Sequence, residues 1–180
     1  MAAKAEELTE RRPLSEGAIK KGFSFIDHSL SLCDAMKIGE NVLKVAKKIN
    51  AMPLSITILD KSGKAKYVLN EDGTGLMRND ISFGKAWTSL SMGFPTRNLT
   101  ENLDKRRQFL ASLANVANGK HVHAPGGILI LNNKKEVVGS MGISGDTSYR
   151  DEYLAIMAAQ QCGFHTSPSK PHPNFMKSHL

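Results

Sequence analysis

The sequence predicts an α+β domain, an antiparallel sheet packed against helices in two layers. Three observations carry this. Apolar periodicity gives the order helix, two strands, two helices, two strands, helix. Each strand pair is joined by a short polar turn, as hairpins are. Strands do not alternate with helices, as a doubly wound parallel sheet requires.

Residues 1–30 mix charges with weak patterning and read as an N-terminal extension, with a short helix around Gly17 to His28. From Leu32 to Ile49 the residues Met36, Val42, Leu43, Val45, Ala46 and Ile49 recur at helical spacing, and Lys44, Lys47 and Lys48 fall outward. "MPLSITILD" alternates as a strand, "DKSGK" turns, and "AKYVLN" returns. After the loop "EDGTG", the stretch "ISFGKAWTSLSMG" is helical and stops at Gly93. Asn98 to Asn115 reads as one further, more polar helix. "NGKHVHAPGG" is a loop into the second hairpin, which ends at Gly142-Ile143-Ser144-Gly145. The last helix runs from about Tyr149 to Gln161. Residues 164–180, rich in proline and polar groups, read as a disordered tail.

Composition narrows the function classes. An apolar fraction of 41% is that of a soluble globular chain. No apolar run approaches the roughly 18 residues of a membrane span, so no membrane partner is expected. The net charge of +7 is spread over scattered lysines, with few aromatic residues to stack bases, so no nucleic-acid partner is expected either. Cys33 and Cys162 lie far apart, outside the spacing of a zinc site or a disulfide framework.

Several residues carry chemistry. Gly139, Gly142 and Gly145 do not have the spacing of a dinucleotide fingerprint, and no phosphate-binding P-loop is present. The Gly142–Gly145 turn instead runs into a helix start, where free N–H groups attract an anion. There Asp146, Thr147 and Ser148 are capping residues, with Asp151 three after Ser148 as in a capping box. His121 and His123 form an H-x-H pair whose side chains would point to one side of a strand, as metal or haem ligands sometimes do; solvated loop histidines are the plain alternative. Turn chemistry accounts for Asp60 and Asp72, and no nucleophile–base pair is visible. Ser178-His179-Leu180 follows the small–basic–leucine pattern of a peroxisomal address. In a eukaryote it predicts an import receptor as partner and a peroxisomal or glycosomal location; otherwise the expected location is cytoplasmic.

From about Ala35 to Gly163 the chain resembles the GlcG/HbpS-like family, which includes the C-terminal domain of PduO-type proteins. The matching pieces are "LSITILDKSGK", "NEDGTG", "KAWTSLSMGFPT" and "PGGILILNNKKEVVGSMGISG", followed by the helix carrying Asp151. The resemblance implies a profilin-like domain over residues 31–163, assembly into homo-oligomers, and binding of haem or, as an alternative, a corrinoid. By motif position it draws in Lys85, Thr88, Pro95, Thr96, Gly126, Gly127, Gly142, Ser144, Gly145 and Asp151. Phe94, Leu129 and Trp87 depart from the usual pattern and alter a pocket wall.

The expected function is a homo-oligomeric binding protein for haem or a related tetrapyrrole. Lys85 and the backbone near Gly142, Ser144 and Gly145 would hold propionates, and His121, His123 or Thr88 would stand near the iron. Two other classes stay open. One is an enzyme that degrades haem or acts on a small hydroxy or keto acid, linked to glycolate. The other is an assembly protein with no small ligand.

Overall fold

A computed structural model describes residues 29–103 and 105–177. Within them the elements run α1 (Leu32–Lys48), β1 (Ser55–Asp60), β2 (Ala65–Asn70), α2 (Arg78–Met92), α3 (Thr96–Leu103), α4 (Arg107–Val116), β3 (Gly127–Leu131), β4 (Val137–Ser144), α5 (Ser148–Gln161) and β5 (His165–Ser167). The strands form one sheet in the order β2-β1-β4-β3-β5, every neighbouring pair antiparallel. The two hairpins meet at the centre, where Ser55 faces Ser144 and Asp60 faces Gly139. The α+β architecture is the one that the hairpins predict.

Strand alternation sends Ile56 and Ile58 of β1, Ile128 and Ile130 of β3, and Met141 and Ile143 of β4 to one face. There they pack with Ala35, Ile38, Val42 and Val45 of α1 and Leu154, Ala155 and Ala158 of α5. Fully burying each Ile, Leu or Val stabilises the fold by roughly 1.5–3 kcal/mol. Ser31 caps α1, its Oγ accepting from the Asp34 N–H at 3.0 Å, and Lys47 and Lys48 complement the dipole at the other end.

The opposite face is covered by α2. Thr57 Oγ1 and Ser82 Oγ share a hydrogen bond of 2.9 Å, and Ser140 Oγ donates to Ala86 O at 2.8 Å. A Cβ at Gly142 would collide with Ser82 O and sit 2.6 Å from Ala86 N, so the missing side chain lets α2 lie directly on β4. Helices therefore pack against both faces of the sheet.

Two expectations change. The single helix expected over Asn98 to Asn115 is two helices, one ending at Leu103 and the next starting at Arg107. The tail is ordered at least to Lys177. His165–Ser167 adds β5 to the edge of β3, and the residues beyond it stack on α5. The helix expected around Gly17 to His28 and the Ser178-His179-Leu180 tripeptide lie outside the described residues.

Candidate functional site

Helix α2 supports the site from below with two side chains one turn apart. Lys85 is 2% exposed, and its Nζ donates at 2.8 Å to both Ile143 O and Asp151 Oδ2. Thr88 is fully buried, and its Oγ1 accepts from the Val122 N–H at 2.9 Å. Lys85 thus ties α2 to the β4–α5 junction, and Thr88 ties it to the histidine loop.

That loop is pressed onto α2. A Cβ at Gly84 would collide with Val122 Cγ2 and lie 3.0 Å from Lys120 O. Gly126, at φ +118°, ends the loop where a Cβ would meet Lys85 Nζ at 2.8 Å and Ile143 O at 2.9 Å. Between these clamps stand His121 and His123, both half-buried. The Nε2 of each is shut from solvent and has no hydrogen-bond partner among the described residues. Burial and then the neighbouring His123 hold the His121 imidazole below its ordinary 6.5, so it is neutral with a lone pair at pH 7.

Buried polar atoms are normally satisfied, and two orphaned imidazole nitrogens on one loop leave room for a ligand to supply the missing partner. Among the described residues no three His, Cys, Asp or Glu side chains gather as a metal site. A metal bound here would take most of its ligands from another molecule, as iron in haem takes four from the porphyrin. The residues present suit that group.

The other expected site residues have different surroundings. Gly142 and Ser144 are not in a turn: β4 continues to Ser144, and Gly142 is filled over by α2. Ser144 is buried and accepts from Arg78 Nη1 at 3.4 Å. Gly145 lies flush on Pro53 and Leu54, with Leu54 Cα 2.9 Å from where its Cβ would be. The anion expected at the start of α5 is the chain's own. Asp146 N–H donates to Asp151 Oδ1 at 3.0 Å, and Thr147 N–H donates to Asp146 Oδ1 at 2.7 Å.

Asp151 therefore does not close a capping box with Ser148; it receives Lys85 and the Asp146 N–H. Burial pushes its carboxyl above 3.8, with the Lys85 ammonium pulling it back. Lys85, so enclosed, has no exposed ammonium to meet a propionate. The cation beside the loop is Lys120, whose Nζ lies 5.8 Å from the centre of the Trp87 ring. The sequence reading did not single it out, although its place next to the H-x-H pair was the available signal.

Comparison with known proteins bears on family and fold. The family model described as haem degrading protein HbpS-like matches residues 30–160. A PduOC:haem complex, 23% identical, has a TM-score of 0.69 over 77% of this chain and 99% of that one, a likeness of fold. Klebsiella pneumoniae protein ORFY is 27% identical, with a TM-score of 0.68 over 77% of this chain and 93% of that one. An uncharacterised 15.0 kDa Citrobacter freundii protein from the dhaT-dhaS intergenic region is 28% identical over 130 residues, 72% of this chain and 89% of its own length.

Proposed function

The chain belongs to the HbpS-like family, and from that membership and the histidine loop we propose that it is a haem-binding protein whose iron is met by His121 or His123. The single observation that carries the reading is the pair of buried, unpartnered Nε2 atoms on one clamped loop. PduOC, whose complex with haem shares this fold, is consistent with the reading. When bound, haem would supply an iron, and His121 or His123 would be the side chain to hold it.

The protein's own residues do the holding. Thr88 holds the loop against α2 by accepting from Val122 N–H, between the two histidines, and the loop would have to uncover an Nε2 atom for a ligand to reach it. Lys120 is the exposed cation nearest the loop in sequence and the one we assign to the ligand's carboxylates. Lys85, Gly142, Ser144 and Gly145 then act one layer further in, holding α2, β4 and α5 together.

The reading includes self-association. Along α4, Phe109, Leu113 and Val116 share a face, and Val116 is 82% exposed, an apolar strip suited to a second copy.

The test is a hemin titration followed in the Soret band. A saturable, stoichiometric shift is expected, and removing both imidazoles (His121→Ala/His123→Ala) should weaken binding at least about tenfold, the equivalent of 1.4 kcal/mol. A non-saturating response, or unchanged affinity in the double variant, refutes the assignment.

A further inference from the structure

The residues after α5 converge on one buried carboxylate. Glu152 has no exposed surface, and its Oε1 accepts from Arg97 Nη1 of α3 at 2.9 Å. The His172 backbone N–H bears on the same carboxylate. Gln160 Nε2 donates to Thr166 Oγ1 at 3.0 Å and to Ser169 O at 2.9 Å, while Arg97 Nη2 donates to Lys170 O at 3.4 Å. Two ring stacks complete the attachment: Tyr149 on His172 at 3.9 Å and Tyr153 on Phe175 at 4.1 Å. Residues 166–177 therefore lie along α5 as a strap, beyond the residues 30–160 that the family model matches.

We propose that this strap is a clasp over Glu152, closed while the carboxyl keeps its proton and loosened when it ionises. Closing the strap shuts the carboxyl from water, and an ionised carboxylate resists that enclosure more than a neutral one does. The groups facing it are Arg97 and Glu101 from α3, Lys85 from α2, and His172 of the strap itself. Burial dominates, carrying the Glu152 carboxyl from 4.5 up to about 7, although Arg97 and the His172 N–H act the other way.

The direction follows from linkage. The closed form keeps the proton to about 7, whereas a solvated Glu152 keeps it only to 4.5. Raising the pH across that window strips the open form first and so favours opening, by at most about 300-fold in the equilibrium. The clasp is tightest below 4.5 and gains no further push to open much above 7.

Met176 reports on the strap. In protein labelled with ¹³C-methyl methionine, its signal, identified with Met176→Leu, should shift as the pH rises from below 4.5 to above 7. Glu152→Gln, neutral at every pH, should keep the closed-state signal throughout. His172→Phe preserves the stack, removes the imidazole, and should keep the transition. A wild-type signal that does not move, a transition that survives in Glu152→Gln, or one lost in His172→Phe would overturn the proposal. If Glu152→Gln does not fold, the wild-type and His172→Phe titrations decide the matter.

Discussion

Replacing Lys85 by Met tests how the site is held together. Met keeps the length and apolar stem of lysine but removes the ammonium that donates at 2.8 Å to both Asp151 Oδ2 and Ile143 O. Asp151 is 1% exposed, so its carboxylate would lose its counter-charge without gaining water. Breaking such a pair from one side costs about 3–5 kcal/mol. Protonation limits the loss, because without Lys85 only the Asp146 N–H favours the anion. The folded carboxyl then holds its proton well above the unfolded value of 3.8, so stability falls as the pH rises and is best preserved near 3.8. Urea unfolding followed by circular dichroism should give the full loss at neutral pH. Near 3.8 it should give about 1–2 kcal/mol, the share left by the unfilled Ile143 carbonyl. Adding Asp151→Asn keeps an acceptor for Asp146 N–H and removes the charge, so the double variant should regain more than half the neutral-pH loss. Equal destabilisation at both pH values, or a double variant no better than Lys85→Met, would refute the reasoning.

Other expectations follow from the same geometry. Gly142→Ala places a methyl against Ser82 O and 2.6 Å from Ala86 N, both backbone, so thermal unfolding should show a loss at the upper end of overpacking, about 3 kcal/mol. Thr88→Val leaves Val122 N–H without its acceptor and should weaken hemin binding about 10-fold or more in the Soret titration, as loss of an orienting partner does. Because burial lowers the His121 value, hemin affinity should hold from neutral pH down past 6.5 and fall only on further acidification, when the imidazole takes a proton; a fall centred above 6.5 would contradict this.

Much of the fold was legible because local signals and packing agree. Both hairpins announce themselves by turn residues, and Asp60 illustrates why: its Oδ1 accepts from Ser62 N–H at 2.9 Å and Lys64 N–H at 3.0 Å, closing the turn within a few residues. Gly93 ends α2 in the left-handed conformation that glycine adopts readily. The serine–aspartate spacing misleads at Ser148, whereas at Ser31, which the sequence reading did not single out, it accompanies a real cap. Asp151 is engaged instead by the long-range partner Lys85 and by the Asp146 N–H. The tail was misread for a similar reason. Its prolines and polar residues are those of a disordered segment, and its order comes from Tyr149 and Tyr153, which are distant in sequence. At the site, the H-x-H pair was visible, but the enclosure of Lys85 depends on glycines whose packing partners lie on another element.

The short strand β5 has a consequence for how copies of this chain can meet. Unpaired sheet edges are where one molecule continues into the next, in fibres as in strand exchange. Here three residues of β5 occupy the outer side of β3, and Pro168, which has no N–H to offer, follows at once. At the far side, the pairing of β2 with β1 shifts register after Ile58, an irregularity that bends and twists an edge away from flat docking. A sheet finished in this way is a poor template for its own extension, which leaves the helical surfaces as the ground on which a second copy would have to land.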